Sequence, residues 1–396
     1  MSRHQLEVAD VFRQHEQELL KQRSTFLSRE QLQAFRDICA CRTAALGSHI
    51  EQCDTCPHQY IAYDSCRNRH CPKCQSSRRD KWLQARANEL LPVSYSHVVF
   101  TLPQELATLT IRNRRVIFNI LFQAVSETLL TIAADPRHLG ASIGFLAVLH
   151  TWNQKLLFHP HLHCMIPAGG FSPDRSRWIR CRERYLLPVA VLRAMFRGKF
   201  LSLLAAAYRA KRLNFSGKCA HLAETTAFDR LLAQLKAKKW VVYAKRPFRD
   251  PVHVIKYLAR YTHRVAISNG RLIEMRDRRI TFRWRDSADG SKQKSMTLDA
   301  IDFIRRFLLH VLPSGFVKIR HFGFMANRRR SQSVALCRSL LEAMTQPAQV
   351  VLTEQQHSAV ERRCPVCRNG RLHIIGRLPA GQFLAIDSSP VCLNTS

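Results

Sequence analysis

The stretch FHPHLHCMIPAGG, residues 158–170, sets histidines at positions 159, 161 and 163. In an extended chain alternate side chains share a face, so His161 and His163 project together, about 7 Å apart at Cα, while Leu162 and Cys164 turn toward an apolar side. Pro160 has no N–H to give a ladder, which predicts that pairing begins there and leaves His159 at the strand's mouth. Two imidazoles on one face are within reach of a single ion, although a hydrogen-bonded core pair has the same pattern. Upstream, GFLAVLHTWNQKLL (144–157) reads as a second strand that folds back antiparallel through a tight connection near Lys155. That fold-back offers Gln154 as the third ligand, with His159 and His263 as competitors.

A second constellation lies in RPFRDPVHVIKYLARYTHRVAI, residues 246–267. Asp250 followed by Pro251 predicts a helix start, and Val252, Ile255, Leu258 and Ala259 keep a helical period. Tyr257 and Tyr261 then emerge on one face, one turn apart, beside Lys256 and Arg260. Taken alone, two tyrosines at this spacing more commonly belong to the core face of an amphipathic helix.

Residues 39–74, CACRTAALGSHIEQCDTCPHQYIAYDSCRNRHCPKC, hold seven of the chain's 14 cysteines. The spacing Cys53-x2-Cys56-x14-Cys71-x2-Cys74 is that of a zinc ribbon, in which two tight turns each present two thiolates to a tetrahedral ion. Cys41, His49, Cys66 and His70 are the candidate ligands of a second zinc. The adjoining RNRH and QSSRRDKW are basic and suit phosphate contact.

The whole chain agrees with a nucleic-acid partner. Its 62 Lys and Arg against 29 Asp and Glu leave +33, a self-repulsion that a polyanion relieves. With 396 residues and 46% hydrophobic composition there is room for about two or three domains with cores of their own. No apolar run is expected to reach the ~20 residues that span a bilayer, and the charged N-terminus has no signal-peptide core. The expected location is the cytosol, where cysteine pairs point to metal rather than disulfides.

Four separated motifs, YDSCRNRHCPKCQ, HPHLHCMIPAGG, KYLARYTHR and KIRHFGFMANRR, resemble in order the segments of two-tyrosine rolling-circle transposases of the HUH superfamily, and in detail those of the bacterial insertion-sequence ninety-one family. The resemblance covers roughly residues 30–330. It implies Mg2+ or Mn2+ on His161 and His163, with nucleophiles at Tyr257 and Tyr261; the third ligand is not fixed by the match, so Gln154 stays a candidate. It also implies single-stranded transposon ends and target DNA as substrates, with host helicase or replication machinery as partner, since no P-loop motif occurs. A replication initiator or relaxase uses much the same site. A non-catalytic zinc regulator would account for the cysteines and charge alone.

The expected fold class is α+β: an antiparallel sheet of split β-α-β design flanked by helices, with an N-terminal zinc module. The expected divisions are 1–90 for the helical segment and zinc module, 91–290 for the catalytic domain, and 291–396 for a basic region with a lone Cys364-x2-Cys367, to which His373 and Cys392 could add ligands. In RLIEMRDRRITFRWRD (271–286), a hairpin sets Ile280, Phe282 and Trp284 opposite Arg279, Arg283 and Arg285, a dry face and a phosphate-binding face. Arg328, Arg329 and Arg330 form a second basic patch.

Overall fold

The computed structural model describes residues 5–23, 27–74, 89–181, 187–248, 265–286, 289–343 and 363–382. In chain order, α1 (Val8–Gln14), α2 (Glu16–Arg23) and α3 (Arg29–Ala40) precede a hairpin of β1 (Ser48–Cys53) and β2 (Gln59–Tyr63). Then come β3 (Tyr95–Thr101), α4 (Ala107–Arg112), α5 (Arg114–Ala134), β4 (Gly144–Trp152) and β5 (Phe158–Pro167). A small ribbon of β6 (Gly169–Phe171) and β7 (Trp178–Arg180) leads to α6 (Val189–Arg209), α7 (Thr225–Ala237) and β8 (Val241–Phe248). The meander β9 (Leu272–Arg276), β10 (Arg279–Asp286) and β11 (Lys292–Asp299) is followed by α8 (Ala300–Leu308), β12 (Ile319–Gly323), α9 (Arg330–Glu342) and β13 (Leu372–Leu378).

The fold is α+β with antiparallel sheets. The histidine strand β5 is the centre of a five-stranded sheet of order β12-β4-β5-β3-β8, every neighbour antiparallel. Alternation divides its residues as their polarity requires. Leu162, Cys164 and Ile166 of β5, Val98 and Phe100 of β3, and Ala147 and Leu149 of β4 join one core with Phe118, Leu121 and Phe122 of α5 and Phe196 and Phe200 of α6. The histidines are left on the other face.

Strand β5 begins at Phe158, two residues before the start expected from Pro160. Trp152 pairs with Phe158 and His150 with His161, so His159 and Pro160 together face the single residue Thr151 in a bulge. A missing N–H is harmless there because the ladder is already interrupted.

Helix α5 bears on the expectation that no apolar run approaches the ~20 residues that span a bilayer. Arg114–Ala134 is, among the described residues, the one helix long and apolar enough to cross a membrane, yet twelve of its side chains are buried and most of those lie in the core beneath the sheet.

A second core joins distant parts of the chain. Phe12 of α1 stacks on Phe35 of α3 at 5.0 Å and meets the edge of Phe307 of α8 at 5.3 Å. Ile280 and Phe282 of β10, fully buried, pack in the same cluster. A boundary at residue 290 therefore falls inside the β10–β11 pair, where Asp286 opposes Lys292. Asp299 starts α8 by accepting from the N–H groups of Ile301 (2.9 Å) and Asp302 (3.3 Å). Asp299→Ala is expected to lower stability by about 1 kcal/mol in denaturant titration, the usual cost of a lost N-cap.

Candidate active site and metal centres

On the open face of the five-stranded sheet, β5 supplies His161 and His163, and β4 supplies His150 as the direct cross-strand partner of His161. One ring nitrogen of each lies within 4.8 Å of those of the other two. The ring centroids of His163 are 4.6 Å from His150 and 4.7 Å from His161. The residue facing His161 is therefore the one at its register position. Gln154 sits beyond the last ladder pair, in the turn at 153–156, where its backbone carbonyl accepts from Arg271 Nη2 at 2.6 Å.

The tautomers suit ligation. His161 Nδ1–H donates to the His159 carbonyl (2.6 Å), which leaves Nε2 with its lone pair. His163 Nδ1 lies 2.8 Å from Nε2 of His97 on β3, a neighbour that holds the ring's orientation. Burial pushes the His161 imidazole down to about 4 and also lowers that of His159, so His161 is neutral and a donor at neutral pH. Trp152 stacks on His150 at 4.5 Å and fixes it from the turn side. His159 stands at the rim, its ring 5.2 Å from that of His161. Tyr257, Tyr261, Lys256, Arg260 and His263 lie outside the described residues.

The cysteines are partitioned differently from the expected ribbon. Cys41, Cys66, Cys71 and Cys74 form one group, with Sγ separations of 3.5 Å (Cys41 to Cys74) and 3.6 Å (Cys66 to Cys74). Cys53 and Cys56 instead meet Cys364 and Cys367. The physical reason is pairing: β13 lies antiparallel on β1 and carries its cysteine turn to the end of the β1–β2 hairpin, so the CxxC that is isolated in sequence is not isolated in space. Neither expected histidine joins a cysteine group. His49 Nε2 is 2.9 Å from Glu51 and its Nδ1 3.5 Å from Asp64. His70 Nε2 accepts from the Leu312 N–H at 3.3 Å. Its neighbour Arg69 donates to the carbonyls of Phe316 (2.5 Å) and Pro313 (2.7 Å), so RNRH clamps the segment after α8.

Ligand chemistry fits both groups. Tetrahedral zinc with Zn–S near 2.3 Å requires Sγ separations of about 3.8 Å, far beyond the ~2.05 Å of a disulfide. Backbone donors support the sulfurs, as Asn68 N–H reaches Cys66 Sγ at 3.5 Å.

The basic strand β10 keeps its two faces. Arg279, Arg283 and Arg285 are exposed, whereas Ile280 and Phe282 are buried. Trp284 is half-buried at the edge, with Lys155 Nζ, from the β4–β5 turn, 4.2 Å from its ring centroid. Arg328 and Arg329 are exposed just before α9, and Arg330 pairs with Glu89 at 3.3 Å.

Two family models match the chain: one described as "Transposase zinc-binding domain" over residues 11–102, and one described as "Putative transposase" over residues 144–333. The chain is 48% identical to "Putative transposase y4qJ" of Sinorhizobium fredii across the full length of both. It is 28% identical to the transposase for insertion sequence element IS801 of Pseudomonas savastanoi pv. phaseolicola, over 73% of this chain and 68% of that protein. No solved structure matches.

Proposed function

The chain belongs to the insertion-sequence ninety-one family of transposases, and on that premise we propose that it nicks single-stranded transposon ends through tyrosine phosphodiesters and transfers the strand by a rolling-circle route. The observation that carries this reading is the convergence of His150, His161 and His163 on one sheet face. The five-stranded antiparallel sheet with α5 and α6 packed behind it is consistent with the HUH split β-α-β design.

The three imidazoles would hold a divalent ion, Mg2+ or Mn2+ by the family resemblance, with oxygen ligands from phosphate and water completing its shell; a nitrogen donor set suits the transition ion Mn2+ better than Mg2+. When bound, such an ion neutralises charge on the scissile phosphate and aligns the ester for in-line displacement. His150, His161 and His163 hold the position, while His97 and the His159 carbonyl keep the rings turned for it. Tyr257 or Tyr261 attacks through its phenol oxygen. The new bond joins that oxygen to phosphorus, the phosphorus–O3' bond breaks, and a 5'-phosphotyrosine and a free 3'-OH result. The bond energy is retained, so rejoining needs no ATP. Two tyrosines permit one link to donor strand and one to target.

Zinc in the N-terminal domain, on Cys41, Cys66, Cys71 and Cys74, stabilises a segment that packs against α1 and α3. Arg279, Arg283 and Arg285, with Arg328, Arg329 and Arg330 and the cations Lys256 and Arg260, bind DNA phosphates. Strand separation falls to a host helicase or the replication machinery. A replication initiator or relaxase would use the same histidine face, but the match to a transposase zinc-binding domain favours transposition.

Replacing Arg279, Arg283 and Arg285 together by alanine is expected to reduce the slope of log affinity against log salt by about 2 for a single-stranded oligonucleotide, at ~0.7 per phosphate contact. Fluorescence anisotropy across a salt series reads this directly. An unchanged slope would remove β10 from the DNA path. The experiment that tests the reading as a whole is metal-dependent nicking of single-stranded transposon ends by the intact chain.

A further inference from the structure

We propose that Cys53, Cys56, Cys364 and Cys367 bind a second zinc ion, and that this ion closes a ribbon whose two halves come from opposite ends of the chain. The first half is the turn at the end of β1, with Cys53 and Cys56; the second is the turn before β13, with Cys364 and Cys367. Cys56 and Cys364 are 308 positions apart in sequence, yet their Sγ atoms lie 3.7 Å from each other, as do those of Cys53 and Cys367. Both separations match the edge of a zinc–thiolate tetrahedron, about 3.8 Å.

The two turns are built alike around their sulfurs. Thr55 N–H points to Cys53 Sγ at 3.4 Å, and Gly370 N–H points to Cys367 Sγ at 3.3 Å, donors that stabilise thiolate charge. Between them Asp54 N–H donates to the Arg371 carbonyl (3.0 Å), and Arg371 N–H returns to Asp54 Oδ1 (2.8 Å). Gly370 passes so close that a Cβ there would stand 2.3 Å from Cys53 Sγ. Only glycine lets the second turn approach the first.

The ion also has mechanical work. Outside this turn, residues 363–382 are held by the β1–β13 ladder and by contacts such as Gly381 N–H to the Ala44 carbonyl, and none of them enters the core beneath the histidine sheet. Strand β13 lies at the edge of its sheet and exposes Ile374 and Ile375 on its surface. A single edge strand with so little burial depends on the cross-link for its place. Each thiol releases its proton to solvent on ligation, so binding weakens as pH falls.

The test is metal content of the intact chain, purified with zinc under reducing conditions and measured by elemental analysis. Two equivalents per chain are expected for the unaltered protein and one for Cys364→Ser with Cys367→Ser. Cys53→Ser should also leave one, and combining all three should remove no more. Limited trypsin digestion should release a fragment from the 363–382 region at least about tenfold faster in these variants, with the far-UV spectrum preserved. Cys66→Ser with Cys71→Ser, which disrupts the other group, should lose a different equivalent, so that joining it to Cys364→Ser and Cys367→Ser leaves none. A single equivalent in the unaltered chain, or full zinc content after Cys364→Ser with Cys367→Ser, overturns the proposal. None of these readouts depends on DNA cleavage.

Discussion

Alanine at both His161 and His163 is expected to reduce metal-dependent nicking of a single-stranded oligonucleotide by about 10³-fold or more. Several kcal/mol of charge neutralisation at the phosphate would be lost, and each 1.36 kcal/mol is about tenfold in rate. The register between β4 and β5 sharpens the expectation. His150→Ala should fall with the pair because it faces His161 directly, while Gln154→Ala, out in the turn, should stay within about threefold of the unaltered chain. Activity measured against Mn2+ concentration separates the two cases: loss of a ligand also raises the metal concentration needed for half-maximal rate. The opposite ranking of His150→Ala and Gln154→Ala would return the third ligand to Gln154.

Removal of both phenols, by Tyr257→Phe with Tyr261→Phe, is expected to abolish the covalent protein–DNA adduct seen on a denaturing gel. The loss should be about 10⁵-fold or more, the scale on which an enzyme feels the absence of its nucleophile. Each single variant should still trap one strand but fail to complete transfer, since the second link has no acceptor. DNA binding should be unaffected in all three, because phosphate contacts by arginine are untouched. An adduct that persists in the double variant would end the tyrosine assignment.

How far the sequence foretold the site depends on whether the decisive contact was local. Alternation along FHPHLHC was enough to put His161 and His163 on one face and Leu162 in the core, because a period of two is a property of the strand alone. The fold-back of GFLAVLHTW onto it was legible too. His150 was missed although the signal existed: counting back across the tight turn from His161 reaches it, and only the bulge at His159 and Pro160 shifts the count by one. The cysteines show the limit of spacing arguments. Cys53-x2-Cys56 and Cys71-x2-Cys74 are close in sequence, but which pairs come together is decided by the partner of β1, and that partner is more than 300 residues away. Helix α5 was overlooked for a related reason. Asn119, Gln123, Ser126 and Glu127 interrupt its apolar run without preventing the rest of its surface from being buried.

The contact of Phe12 and Phe35 with Phe307 has a bearing on biosynthesis. Helices α1 and α3 leave the ribosome long before α8 exists, so the part of their apolar surface that packs against Phe307 stays uncovered while most of the polypeptide is being made. Local hydrogen bonds, and a zinc ion once Cys41, Cys66, Cys71 and Cys74 hold one, would keep that first segment in shape, but they would not hide its apolar side. Chaperone capture during translation, and poor yield of the first hundred residues expressed alone, are the natural results of a protein that lays its beginning against its last third.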